Sequence, residues 1–296
     1  MNRFVANEKT TLLELLTAAG YSRTKVKQLT RYRAIMVNER PVGRFDQDLQ
    51  AGDVVTVGNE REMQGRIGRC EGLEILYEDD DIIVVDKPAG LLTIASATEK
   101  EKTAYYRLTA CLNREDRHGR SAARQRVFIV HRLDQGTSGL LVFARNEAAK
   151  RSLQDGWQQA EKRYVAVVEG IPLDRTGRLE SYLYESSALR VYSKKTDDGT
   201  GKHAVTDYKV MRAGNGRALL DITLLTGRKN QIRVHMAEMG HPVVGDKKYG
   251  AARDPLGRLA LHACFLAFPH PASGNRLEFT LKIPASFLSL LKEKKA

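Results

Sequence analysis

HRLDQGTSGLLVFARN, residues 131–146, runs from a short polar loop into an apolar stretch. The apolar part, GLLVFA at 139–144, is too short for a buried helix and reads as a core strand, and VFIV at 127–130 reads as a second strand just before the loop. A loop between two strands of a rigid sheet is where functional groups are commonly presented, and this one offers a histidine, an arginine, an aspartate and two glycines. Asp134 is therefore a candidate reactive carboxylate. An aspartate followed closely by Gly136 also suits a simple turn, so the residues of the loop alone leave both readings open.

Outward from this loop the pattern stays rich in strands: IIVVD at 82–86, RYVAVVEG at 163–170, ALLDITLLT at 218–226 and RLALHACFLAF at 258–268. Between GLLVFA at 139–144 and RYVAVVEG at 163–170 lies NEAAKRSLQDGWQQA, with Asn146 as N-cap and Leu153, Trp157 and Ala160 along one stripe of a helix. Consecutive strands on short turns favour a mixed, largely antiparallel sheet with peripheral helices, an α+β fold, over a doubly wound parallel one.

The N-terminal region has a different rhythm. TLLELLTAAGY places Leu12, Leu15, Leu16 and Ala19 at helical spacing with Gly20 as the stop. In YSRTKVKQLTRYR, Ser22 caps a second helix whose Arg23, Lys25, Lys27, Arg31 and Arg33 meet no acid, while Val26 and Leu29 to Tyr32 face inward. AIMVNERPV and AGDVVTV then give short strands with a turn at Asn38–Arg40. The organisation expected is a small α/β domain at 1–58, a linker at 59–72 and a larger domain at 73–296.

The 296 residues carry a formal charge of +12, with 42% apolar and 28% charged residues. That composition excludes wholesale disorder, and the charge points to a polyanionic partner, since phosphate neutralisation supplies most nonspecific nucleic-acid affinity. Cys70, Cys111 and Cys264 are far apart, without C-x-x-C spacing, and read as small buried or incidental thiols. The seven histidines form no H-E-x-x-H pair, so no metal site is expected. No signal-like or membrane-spanning apolar segment stands out, making a cytoplasmic, soluble chain the expectation.

The string H-R-L-D-x-x-T-S-G resembles the signature of the large-subunit ribosomal RNA class of pseudouridine synthases, the RluA family. Other segments fall in the family's order: EDDDIIVVDKPAGLLT with Lys87-Pro88-Ala89-Gly90, KRYVAVVEG, LLTGRKNQIRVHMAEMGHPVVGDKKYG and RLALHACFLAF, together spanning most of residues 75–283. Residues 10–57 resemble the small RNA-binding domain named after ribosomal protein S4. The resemblance implies a pseudouridine synthase fold, an isomerase that needs no cofactor and no metal, and RNA as partner, above all 23S ribosomal RNA. Monomer is the default assembly.

It further implies Asp134 as the catalytic carboxylate, Tyr164 as the aromatic packing on the target base, and Arg233 as the arginine paired with Asp134, its fork orienting an ionised carboxylate. Arg132 is expected to help evert the base, with His131 and Thr137 completing the substrate contacts. Arg23, Lys25, Lys27, Arg31 and Arg33 are the expected phosphate contacts, with Arg107, Arg114, Arg117, Arg120, Arg124 and Arg126 as a second basic set. One departure is Asn230, where many relatives carry histidine; asparagine there suits a helix N-cap, followed by a buried stripe of Ile232, His235, Met236 and Met239. A transfer-RNA enzyme, a base-excising glycosidase using the same carboxylate to activate water, and a non-catalytic ribosome-assembly factor are the competing readings.

Overall fold

The computed structural model describes residues 2–31, 35–38, 40–42, 44–57, 70, 72–96, 98–113 and 126–292. The N-terminal unit contains β1 (Asn2–Val5), β2 (Thr10–Thr11), α1 (Leu12–Ala18), α2 (Arg23–Arg31), β3 (Ile35–Val37), β4 (Arg40–Pro41), β5 (Asp48–Leu49) and β6 (Val54–Val57). Thr11 and Glu14 close a reciprocal capping box on α1, and Ser22 Oγ accepts from the Lys25 amide at the start of α2, so both helices begin where local side-chain chemistry satisfies their first amides. Leu12, Leu16, Val26, Leu29, Ile35, Val55 and Val57 form a separate core against the sheet β1-β6-β3-β4.

The larger unit contains β7 (Glu74–Glu78), β8 (Ile82–Lys87), α3 (Ala104–Leu112), β9 (Phe128–Ile129), β10 (Ser138–Ala144), α4 (Glu147–Gly156), β11 (Glu161–Glu169), β12 (Thr176–Glu185), β13 (Val191–Lys194), β14 (Lys202–Gly214), β15 (Arg217–Leu224), α5 (Gln231–Glu238), β16 (Leu261–Pro269), β17 (Arg276–Thr280) and α6 (Ala285–Ser289). Its sheet has 11 strands in the order β13-β12-β14-β15-β11-β16-β10-β8-β7, with β17 on β16 and β9 on β10. The expectation of an α+β, largely antiparallel sheet holds, because among the named strands only β10 and β16 run parallel. They meet for two residue pairs, Ser138 with His262 and Gly139 with Ala263. A Cβ on Gly139 would lie 2.2 Å from the Ala263 carbonyl oxygen, and its φ is +116°, so this close approach of strands requires glycine.

The centre of the sheet is dry. Every residue of β10 is buried, as befits a strand covered on both faces. One core packs α5 and α6 on β11, β14 and β15, a second packs α3 on β8 and β10, and a third packs α4 on the opposite side of β8 and β10. Asn146 caps α4 through the Ala149 amide as expected, although the helix ends at Gly156 and Trp157–Gln159 form a tighter turn.

Two expectations are corrected. Cys70 and Cys111, read as small buried or incidental thiols, are joined by a disulfide across a sequence separation of 41; the pairing has no local signal because folding, not spacing, brings residue 70 to the end of α3. Asn230 occupies the N-cap position of α5 with a left-handed backbone, φ 55°, and makes no side-chain cap; its amide group bonds elsewhere. In the stripe that follows, Ile232, His235 and Met236 are buried whereas Met239 is half-buried. Among the described residues no helix is long and apolar enough to cross a membrane.

Candidate active site

Asp134 lies in the loop between β9 and β10, at the strand ends where β10 meets β16. The segment after β8 brackets it on both sides. Thr93 Oγ1 donates to the Leu133 carbonyl at 2.8 Å and accepts from the Leu133 amide at 3.1 Å. On the other flank the Gly90 amide donates to the Gln135 carbonyl at 2.8 Å, and Gln135 Nε2 donates to the Gly90 carbonyl at 3.1 Å. The Thr137 amide closes the turn on the Asp134 carbonyl at 3.1 Å. Thus the Lys87-Pro88-Ala89-Gly90 turn and Thr93 serve to hold the backbone of residues 133–137.

Lys87 belongs to the same bracket. It is fully buried, and its ammonium donates to the carbonyls of Pro88 at 2.9 Å, Leu91 at 2.7 Å and, longer, Gln135 at 3.4 Å. Burial pushes its pKa down to about 8, while the Asp134 carboxylate works in the opposite direction. A buried cation that touches only carbonyls adds positive potential at the loop without occupying the aspartate's oxygens.

The Asp134 carboxylate itself has no hydrogen bond among the described residues. Its ion-pair partner is Arg233, with Nη1 at 3.5 Å from Oδ2 and Asp134's side chain 28% exposed. Arg233 sits in the first turn of α5, as expected, but its fork does not face Asp134. Nε and Nη2 donate to Asp246 at 2.6 and 2.7 Å, and Nη1 donates to Asn230 Oδ1 at 3.0 Å. Asp246, the arginine's principal partner, is a neighbour that sequence reasoning passed over. Burial draws the guanidinium's pKa down, and the bonds and charge of Asp246, with Asp134 adding to them, outweigh that and raise it.

Tyr164 stands on β11 where the pairing with β16 slips by one residue between Arg163 and Tyr164. Such a bulge re-aims a side chain, and the half-buried ring packs against the cores on both sides of the sheet's centre. Burial pushes the phenol's pKa up, and the nearby Asp134 charge pushes it further, so the hydroxyl is neutral at physiological pH. The structure therefore brings Asp134, Tyr164, Arg233 and Lys87 within one electrostatic neighbourhood.

Arg132 is exposed, with no hydrogen-bond or ion-pair partner among the described residues, and is free to reach a ligand. His131 and Thr137 have internal positions instead. His131 Nε2 accepts the Val142 amide at 3.1 Å, its ring stacks on Trp157 with centroids 4.3 Å apart, and burial pulls its pKa down to about 3. Thr137 is 2% exposed. His131 is half-buried, and its hydrogen bond and ring stacking tie it to β10 and Trp157.

Below the loop, Ser138 Oγ and His262 Nδ1 share a hydrogen bond at 2.8 Å and Ser138 Oγ accepts from Arg258 Nη2 at 2.8 Å, tying β10 to β16. On α2, Arg23 and Lys27 are exposed and Lys25 is half-buried; Lys27 also lies over the Phe45 ring. The side chain of Arg31, and Arg33, Arg114, Arg117, Arg120 and Arg124, lie outside the described residues. Asp79, Asp81 and His270 cluster within 4.8 Å. His270 Nδ1 accepts the Ala272 and Ser273 amides, which places its proton on Nε2 facing Asp79, an internal hydrogen bond rather than a metal-ligating lone pair.

Comparison with known proteins adds the family. Residues 81–238 match the model of the RNA pseudouridylate synthase family. The chain is 36% identical over 289 residues to ribosomal large subunit pseudouridine synthase D of Neisseria meningitidis, covering 92% of this chain and 74% of that one. It is 39% identical over 220 residues to the dual-specificity RNA pseudouridine synthase RluA of Escherichia coli, covering 73% of this chain and 94% of that one. The fold is shared with human RNA pseudouridylate synthase domain containing 4, at a TM-score of 0.59 and 24% identity, covering 78% of this chain and 96% of that one. The chain belongs to the RluA-type RNA pseudouridine synthases, isomerases that act on uridine in RNA.

Proposed function

We propose that this enzyme isomerises uridines of large-subunit ribosomal RNA, with Asp134 as the carboxylate that reacts at the ribose. The observation carrying the assignment is the contrast within one residue: the backbone of Asp134 is bracketed on both flanks, while among the described residues its carboxylate carries only the 3.5 Å ion pair to Arg233. Fixed position with unoccupied oxygens is what a nucleophile or base requires.

Uridine and pseudouridine are isomers, so the glycosidic carbon–nitrogen bond breaks, the uracil turns and its carbon 5 joins the ribose, with no net redox change. Asp134 begins this by attacking the ribose or by removing a ribose proton. Tyr164 holds the detached uracil against its ring. Joining carbon 5 to the ribose displaces the carbon 5 proton, which passes to water with Tyr164 placed to assist, while nitrogen 1 takes up a proton, so the isomerisation balances. A stacked uridine must leave its helix to reach Asp134, at a cost of a few kcal/mol, and the unpaired Arg132 guanidinium beside the loop fills the gap by stacking.

The N-terminal unit supplies RNA affinity through Arg23, Lys25 and Lys27, with Arg31 and Arg33 continuing the same basic run. One relative that matches along 92% of the chain is named for the ribosomal large subunit, which supports that RNA over transfer RNA. The test is to incubate the purified protein with 23S, 16S and transfer RNA transcripts and map pseudouridine in each. Conversion of discrete 23S positions is expected. Conversion of transfer RNA alone would reassign the substrate, and release of free uracil would replace the isomerase with a glycosidase.

A further inference from the structure

Asp134 and Asp246 share one guanidinium and differ in everything else. The Asp246 side chain is 1% exposed against 28% for Asp134. Asp246 takes the paired Nε and Nη2 donors at 2.6 and 2.7 Å and also accepts the Tyr249 amide at 3.3 Å. Asn230 holds the third corner: its Oδ1 accepts from Arg233 Nη1 at 3.0 Å, and its Nδ2 donates to Tyr249 Oη at 3.0 Å. Tyr249 Oη in turn accepts the Val191 amide at 3.2 Å, and its ring lies 4.9 Å from the guanidinium carbon. The left-handed backbone of Asn230, φ 55°, is what turns its amide toward both partners and away from the first amides of α5.

A forked arginine–carboxylate pair is the strongest and most rigid ion pair available to side chains. Had that fork faced Asp134, both oxygens of the reacting group would be occupied. We infer that Asp246 is a positioning residue, which with Asn230 diverts the fork of Arg233 so that a single Nη1 faces Asp134 and leaves its oxygens available. This rests on the reading of Asp134 as the reacting carboxylate.

Removing the charge at Asp246 should turn the fork onto Asp134. In tritium release from 23S RNA labelled at uracil carbon 5, Asp246→Asn is expected to lower kcat about 10- to 100-fold, the range typical of lost outer-shell support, with KM little changed. The acid limb of its kcat/KM profile should move to lower pH by about one unit, as for a carboxylate gaining an arginine partner. Asp246→Glu, which can fork again, should return part of kcat and move the limb back. Because Asp246→Asn leaves a buried arginine short of a partner, Asn230→Gly is measured beside it; glycine keeps the left-handed backbone, frees Nη1 and should shift the limb the same way by less.

Melting temperatures of all variants are read in parallel. A loss in proportion to the unfolded fraction, with the acid limb in place in both variants, would overturn the positioning role. Asp134→Ala separates the two ideas: full activity in that variant removes the reading beneath the inference, whereas an inactive Asp134→Ala with an unshifted limb in the Asp246 and Asn230 variants removes the inference alone.

Discussion

The loop carrying Asp134 and the turn carrying Arg233 are built on opposite plans. In the loop the backbone is held and the functional side chain is not: Leu133, Gln135 and Thr137 are all hydrogen-bonded, while the carboxylate has only a distant cation among the described residues. At the start of α5 the side chain itself is held on three sides, by Asp246, Asn230 and the Tyr249 ring. The difference separates a group that must change partners during a reaction from one that must supply charge from a constant place. Preorganised charge acts without reorganising when the reaction occurs, and only the second plan provides it.

The largest expected effect falls on the first plan. Asp134→Asn keeps the loop's backbone bonds and should reduce turnover by at least about 10⁴-fold, as for other reacting groups, with an unchanged melting temperature; single-turnover kinetics on the preferred RNA check it. Next comes Arg233→Lys, which keeps the charge but cannot fork onto Asp246. It should lower kcat by about 10²-fold, comparable to losing one preorganised donor, and a variant as active as wild type would show that rigid placement of the cation is unimportant.

Arg132→Ala probes a side chain that neither plan holds. It should raise KM for structured RNA by about tenfold, in line with one lost stacking contact of about 1–3 kcal/mol, and affect a single-stranded substrate less. Thr93→Val removes the hydroxyl bracketing Leu133 while keeping shape. The loss should be about 1–3 kcal/mol of stability, the penalty for leaving a buried polar group unpaired, measured by denaturant unfolding.

The smallest effect is on pH dependence. Burial holds His131 at about 3 and His235 and His262 at about 4 in the folded chain, below the unfolded value of about 6.5. The unfolded chain therefore binds more protons, so these residues leave stability untouched above about pH 6.5 and lower it as pH falls from there toward 4. Replacing His131 with a non-titrating aromatic such as phenylalanine should flatten that slope, read from melting temperatures across the range.

Much of the loop was legible because its information is contiguous. A polar string ending in a fully apolar run locates a strand, and the string's match to a family locates Asp134. The run of strands also indicated the sheet's class, and Ser22 and Asn146 marked their helices because capping is a local transaction. The long hairpin β12–β14 was harder to see, since one face of Thr176–Glu185 and of Lys202–Gly214 meets solvent and no apolar run announces it.

The expected fork of Arg233 on Asp134 is not what packing produces: the fork goes to Asp246, sealed from solvent, and Asp134 faces a single Nη1. The same holds for His131, which stands in the signature string yet turns inward to Val142 and Trp157, and for Cys70 and Cys111, brought together by the fold. In each case the bond joins residues far apart in the chain, so no local pattern announces it.

The central claim is that a carboxylate held by its backbone and left open at its oxygens starts the isomerisation. Its direct test is tritium release to water from 23S RNA labelled at uracil carbon 5, comparing wild type with Asp134→Ala at equal folded concentration. Release by the wild type with recovery of pseudouridine, and none from the variant, is the predicted result. Equal release by both, or tight RNA binding with no release by the wild type, would contradict it.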